Sequence, residues 1–178
     1  MKHSIVLIFS ILILFSSCFA GIDKQGSVTS YSNGVIYTLG GQFRVGKLSS
    51  DWKKHEIKYR AAFFVNKKDH ATITIDSWCQ RAVDDRSLET LTQQLLKGIT
   101  DLQTLKSETI TLDNRAALLT DAQGLMDGQP VFVSLAVLKK NYCVFDFFYV
   151  SEPAQTQSLQ DFQNLVQGFQ WKDGPGLL

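Results

Sequence analysis

The stretch PVFVSLAVLKKNYCVFDFFYVS, Pro130–Ser151, decides the fold. Val131, Val133, Leu135 and Val137 alternate with Phe132, Ser134, Ala136 and Leu138. Past a Lys140-Asn141 turn, Cys143, Phe145, Phe147 and Tyr149 alternate with Val144, Asp146, Phe148 and Val150. A period of two over runs this long specifies two paired strands. Both strands are apolar on both faces, so both faces are covered and the pair belongs in the middle of a sheet. With a two-residue loop, Phe132, Ser134, Ala136, Leu138, Cys143, Phe145, Phe147 and Tyr149 share one face, small residues opposite aromatic ones, and a helix is expected on it. Asp146 falls on the other face among Val144, Phe148 and Leu135, where a carboxylate needs a donor to offset its lost hydration, unless that face is partly wet.

The neighbours that such a pair requires are legible on both sides. Ile57–Asn66 and Ala71–Cys79 alternate like strands around a polar loop at Lys67, Lys68 and Asp69 and form a second hairpin. Lys58 and Arg60 lie on one face of the first of these strands, so Arg60 or Lys58 could pair with Asp76 or Asp146, with Arg60–Asp146 the candidate buried ion pair, a role more often structural than catalytic. Thr109–Leu112, a turn at Asp113-Asn114, Arg115–Met126 and a turn at Asp127-Gly128 lead into Pro130 as a meander. Leu88, Leu91, Leu95, Ile99 and Leu102 recur at helical spacing behind Asp84, Asp85 and Ser87, which predicts an amphipathic helix over Ser87–Thr100. Leu159, Phe162, Leu165, Val166 and Phe169, behind a Ser158 cap, predict a second helix docked on the aromatic face. Nearer the amino terminus, Gly34–Gly41 and Gln42–Leu48 each read as a short strand.

The first residues are of another kind. Lys2 and His3 precede an apolar run from Ile5 to Phe15, and Ser16 and Ser17 lead to Cys18. This is the layout of a secretory signal over residues 1–17, its apolar run too short for a bilayer span. Residues 18–34, rich in Gly, Ser and Thr, read as a flexible tether, 35–172 as one domain, and 173–178 as a frayed tail. Phe15, Ser16, Ser17 and Cys18 resemble the bacterial lipoprotein signal, in which the cysteine is lipidated and becomes the mature amino terminus. The resemblance implies a palmitate-bearing Cys18 and an outer-membrane anchor facing the periplasm, since Phe19 rather than Asp follows the cysteine. An ordinary cleavage site after Ala20, giving a soluble secreted or periplasmic protein, and a structural use of Cys18 are the alternatives.

Of the three cysteines, Cys79 and Cys143 remain once Cys18 is set aside, an even pair open to a disulfide in an oxidising compartment or to two buried free thiols. Removing Lys2 with the signal leaves 17 basic and 17 acidic residues, and no basic stripe exceeds Lys53-Lys54 or Lys139-Lys140, so nucleic acid is not an expected partner.

Reactive chemistry finds little support. His55 and His70 fall at a strand start and in a polar loop, and neither a Gly-x-Ser-x-Gly elbow nor a His-Glu-x-x-His motif is present. No metal-ligand spacing is recognisable, and no cofactor is implied. Gly41, Gly46 and Lys47 have the spacing of a phosphate loop, but Leu48 stands where Ser or Thr would hold magnesium. Asp146 raised by burial is the one candidate acid, and a structural reading is simpler.

Gln42, Phe43, Arg44 and Val45, followed by Ser50, Asp51, Trp52 and Lys53, resemble the opening of Mog1/PsbP-like (DcrB-like) domains, with Ser49 at a position usually held by proline. The resemblance covers residues 35 to 171 in pattern. It implies an α+β fold, an antiparallel sheet flanked by helices in an α/β/α sandwich, used by photosystem accessory proteins, a Ran-binding protein and small bacterial lipoproteins. It supplies no catalytic motif, and fold alone carries no function. The expected function is a noncatalytic, lipid-anchored envelope module that binds or stabilises another envelope protein. The alternative is a periplasmic carrier of a small apolar ligand or lipid, held against Phe132, Phe145, Phe147, Tyr149 and Phe169.

Overall fold

A computed structural model describes residues 26–55, 61–79, 85–152 and 156–172. Its elements in chain order are β1 (Val28–Ser32), β2 (Val35–Thr38), β3 (Gly41–Arg44), β4 (Trp52–Lys54), β5 (Ala62–Asn66), β6 (Ala71–Cys79), α1 (Leu88–Leu95), β7 (Thr100–Leu112), β8 (Arg115–Met126), β9 (Gln129–Lys140), β10 (Cys143–Ser151), α2 (Thr156–Gln167) and β11 (Gln170–Lys172). Seven strands form an antiparallel sheet in the order β4-β5-β6-β10-β9-β8-β7, and a second sheet of four runs β1-β2-β3-β11.

The Pro130–Ser151 hairpin takes its expected central place. Phe145 pairs with Leu138, Phe147 with Ala136 and Tyr149 with Ser134, so small side chains do face aromatic ones. The turn is one residue later than expected: Lys140 pairs with Cys143, and Asn141 and Tyr142 take φ of 51° and 61°. Asp113-Asn114 and Asp127-Gly128 make the same two-residue turn with both φ positive, the geometry that matches the right-handed twist of the flanking strands.

Two cores lie on the two faces of the large sheet. On one, Phe145, Phe147 and Tyr149 meet Phe162, Leu165, Val166 and Phe169 at the carboxy-terminal end, together with Ile36 and Phe43 of the small sheet. Phe169 stands 5.0 Å from Phe145 and 5.9 Å from Phe147 between ring centroids, edge to face. Such pairs add roughly 0.5–1.5 kcal/mol each beyond the area they bury. On the other face, Leu91, Leu96 and Ile99 cover Ala122, Val133, Leu135, Val137 and Val144. The result is a helix on each side of a central sheet.

Several expected boundaries change. Residues 28–32, assigned to the tether, are strand β1, and Val28 is 1% exposed, so the folded unit starts well before residue 35. The helix predicted to Thr100 stops at Leu95, tightens into a 3-10 turn over Leu96–Gly98, and Thr100 already pairs with Leu125. Leu102 therefore belongs to β7 and is exposed. Ser158 does not cap α2: it lies inside the helix, fully buried, its Oγ 2.9 Å from the Tyr149 hydroxyl. The strand expected over Gln42–Leu48 ends at Arg44, and β11, which had no sequence signal, pairs with it.

The phosphate-loop spacing has a packing explanation. Gly46 N donates to Leu165 O at 2.9 Å, and a Cβ on Gly46 would overlap the Asn164 carbonyl, just as one on Gly168 would overlap Gly46. The two glycines let the chain after β3 cross against the end of α2. The Ser-Asp-Trp turn is equally structural. Ser49 Oγ and Trp52 Nε1 both donate to Asp161 Oδ2 on α2, at 2.6 and 2.9 Å, and Gln157 Nε2 donates to Asp161 Oδ1 at 3.2 Å.

Candidate functional site

Strand register places two aspartates side by side. Asp146 of β10 stands directly opposite Asp76 of β6, on the face covered by α1. Directly opposed residues bring their Cβ atoms within about 5 Å, where like charges repel. Asp76 is engaged locally, its Oδ1 accepting from Ser77 N at 2.7 Å. Asp146 is partly buried, and its Oδ1 has no hydrogen-bond partner among the described residues. Burial, reinforced by the Asp76 charge and opposed by Arg86, pushes the Asp146 carboxyl up to about 7. Asp146 therefore holds a proton to near neutrality and can donate or accept a hydrogen bond.

The carboxyl lines a cleft of about 520 Å³ with Trp78, Cys79, Arg86, Leu91, Gln94 and Leu95. Trp78 alternates onto this face from β6, while Leu91 and Leu95 come from the apolar stripe of α1. Ser87 caps that helix, its side chain accepting from Thr90 N at 3.1 Å. Arg86, just before the cap, is fixed from three sides. Its guanidinium lies 5.2 Å above the Trp78 ring, its Nη1 donates to Gln94 Oε1 at 2.7 Å, and its carbonyl accepts from Lys139 Nζ at 2.8 Å. A guanidinium, a protonatable acid and an apolar wall in one cleft suit a small molecule with a polar head and an apolar body.

Sequence reasoning found Asp146 and its need of a cationic neighbour, and named Arg60 for that place. Arg60 lies outside the described residues, as do Cys18 and Lys58, so the Asp146–Arg60 pairing has no described geometry; the described cation acting on Asp146 is Arg86. Arg86 carried one signal, its place beside the Ser87 cap at the start of the predicted Ser87–Thr100 helix. Cys79 and Cys143 are directly opposed in the β6–β10 register and are joined by a disulfide at the rim of the cleft. Disulfides persist mainly in oxidising, extracytoplasmic compartments, and this bridge is consistent with that setting.

The histidines stand apart from this cleft. His55 packs edge-on against Phe63 at 6.0 Å, and His70 Nδ1 lies 3.4 Å from Glu152 Oε1 with both side chains exposed. Among the described residues no three His, Cys, Asp or Glu side chains gather as metal ligands, and no helix is long and apolar enough to cross a membrane. The aromatics expected to hold an apolar ligand are 0–7% exposed and packed on one another and on α2, so that face is filled by the protein itself.

No protein-family model matches this sequence, nor does any curated protein. Solved structures do share its architecture. LpqN, involved in cell envelope biogenesis of Mycobacterium tuberculosis, is similar with a TM-score of 0.54 at 15% identity, over 74% of this chain and 85% of LpqN. The cyanobacterial PsbP of Synechocystis matches with a TM-score of 0.56 at 10% identity, over 89% of this chain and 99% of its own. A variant of Mog1 matches with a TM-score of 0.53 at 13% identity, over 80% and 93%. Identities this low speak to backbone architecture alone, and together with the layers and register above they establish that the chain adopts the Mog1/PsbP-like fold.

Proposed function

We propose that this protein is a noncatalytic module of the bacterial cell envelope, tethered through a lipid on Cys18 and acting by holding or stabilising another envelope protein. The Cys79–Cys143 disulfide is the observation that carries this reading. It is favoured by an oxidising compartment and takes up both cysteines of the folded domain. Of three cysteines, the one left over is Cys18, directly behind the signal-like apolar run. The shared fold of LpqN, an envelope-biogenesis protein, supports the same setting. Palmitate labelling and membrane fractionation of the wild type and of Cys18→Ser test the anchor. Label and membrane retention present in the first and lost in the second are expected; retention without label in both refutes it. Crosslinking from intact cells tests the second half, and an absence of any reproducible adduct counts against it.

A second reading, a carrier of a small ligand, moves from the aromatic face to the Asp146 cleft. It is favoured by Asp146 Oδ1, which has no partner among the described residues and lies at the wall of a space of about 520 Å³. Native mass spectrometry of gently purified protein separates the two readings: a co-purifying small molecule displaced in Asp146→Leu supports the carrier, and an apo mass ends it.

A further inference from the structure

The large sheet has two unequal edges. β4 closes one with three residues, whereas β7 runs for thirteen along the other and pairs only with β8 among the described residues. Its outward backbone N–H and C=O groups therefore face away from the sheet, an arrangement that natural proteins usually shorten, cover or charge. β7 is not short, no described element pairs with its outer edge, and two of its apolar side chains are exposed, Leu102 at 41% and Leu105 at 50%.

Each of these leucines sits in its own cleft. Asp101, Gln103 and Leu105 line a space of about 540 Å³ that reaches Leu125, Val131 and Phe132. Leu102 and Thr104 line another of about 510 Å³ that reaches Leu96, Ile99 and Leu118. Alternate residues of one strand thus serve clefts on opposite faces, which is what period-two geometry requires. A strand laid alongside β7 would send its own alternate side chains into the same two clefts, with main-chain hydrogen bonds providing affinity and the clefts selecting side chains.

The local backbone fits this use. Register shifts lie between Thr100 and Gln103 and between Thr104 and Lys106, and Asp101 takes a φ of 50°. Bulges re-aim side chains and limit how long an added strand can be. Charge then narrows the occupant. Lys106 is already paired with Glu108 at 2.6 Å, while Asp101 has no ion pair among the described residues. An incoming segment is matched by a basic residue at the Asp101 end.

We propose that the outer edge of β7 is a strand-addition site for an extended segment of another envelope protein, apolar at alternate positions and basic where it meets Asp101. This rests on the reading of the protein as a partner-binding envelope module and says where and how the partner is held. A second copy of the chain is the competing occupant.

The test uses the purified full chain and a synthetic ten-residue peptide alternating valine and threonine and ending in two lysines, with a proline-interrupted version as control. Binding is read by fluorescence anisotropy and located by amide hydrogen exchange. The expected result is slowed exchange along β7, a loss of affinity of about tenfold or more in Leu102→Lys/Leu105→Lys, and a several-fold loss in Asp101→Asn. Both leucines are exposed, so circular dichroism should show the double variant folded; Asp101→Asn, which tolerates positive φ, is the second probe if it is not. Protection elsewhere, equal affinity for the proline-interrupted peptide, or unchanged affinity in the double variant overturns the proposal. A β7-dependent dimer by analytical ultracentrifugation overturns it in favour of self-association. Because this assay needs no membrane, its failure leaves the Cys18 anchor untouched, and a failure of palmitate labelling leaves the strand edge untouched.

Discussion

Asp146→Asn removes a titration while keeping the shape of the carboxyl, and its effect depends on pH in a way that can be worked out. Burial under α1, added to by Asp76 and reduced by Arg86, moves the Asp146 carboxyl from the ordinary 3.8 to about 7. An acid held more tightly protonated in the folded state than in the unfolded one loses stability as it ionises. The loss begins as pH rises past 3.8, where the unfolded chain starts to release its proton, and levels off just above 7, where the folded chain has released it too. At about 1.4 kcal/mol for each tenfold, that interval corresponds to on the order of 4 kcal/mol. The Asn variant carries no such loss. Near pH 4 the two proteins should therefore be close in stability, and at pH 8 the variant should be the more stable by roughly 3–4 kcal/mol. Urea unfolding with the disulfide oxidised, followed by tryptophan fluorescence at intervals from about pH 4 to 8, measures the difference, and titrations common to both proteins cancel. A gap that stays flat across this range, or a variant less stable at pH 8, would show that Asp146 is ionised and satisfied in the folded protein.

Three further substitutions probe the frame around the cleft. Gly46→Ala forces a Cβ onto the Asn164 carbonyl and should cost about 1–3 kcal/mol or more, read as a lower denaturation midpoint. Asp161→Ala strips the acceptor from the buried Trp52 indole N–H and the Ser49 hydroxyl and should cost about 2–4 kcal/mol, while Asp161→Asn recovers part of it. Tyr142 is 65% exposed at a φ of 61°, so Tyr142→Gly should raise stability by roughly 1 kcal/mol by relieving the left-handed backbone, measurable as a higher Tm.

The central hairpin was legible because its two faces are both apolar and its turn is only two residues long, and the same alternation put Asp146 on the face away from the aromatic residues Phe145, Phe147 and Tyr149. What stayed hidden has a common cause: the missing signals are tertiary. β7 from Thr100 to Glu108 has no buried face, so nothing in it alternates, and Leu102 with Leu105 falls into helical spacing by accident. β1 read as tether and β11 went without an assigned element because both strands are short and mostly exposed, and only their pairing with β2 and β3 makes them sheet. Asp113 looked like a turn residue alone. Burial opposes its ionisation, but hydrogen bonds from Lys140 and from Trp171 N, with the charges of Lys140 and Lys172, hold its carboxyl below the usual range, so it also ties the meander to the last strand.

The position of the cleft follows from how unequally the two faces are covered. On the α2 face a twelve-residue helix and the four-stranded sheet together span the aromatic strands, and Phe145, Phe147 and Tyr149 are left with no exposure. On the other face the cover is an eight-residue helix and a 3-10 turn. At about 1.5 Å per residue, α1 is about 12 Å long, a little more than the width of two strand spacings. It packs on β8 and β9. Of the described residues, those that reach the part of that face formed by β6 and β10 are Leu91, Gln94 and Leu95 on the edge of α1, and Arg86. There the sheet sets Trp78, Asp76 and Asp146 beside Val144 and Phe148, whereas β9 lines the face with Val133, Leu135 and Val137. A longer or broader helix would have sealed the region and demanded apolar residues at 76 and 146. The short one leaves two carboxyls partly dry, one arginine to steady them, and a space in front of the carboxyl that titrates near neutrality.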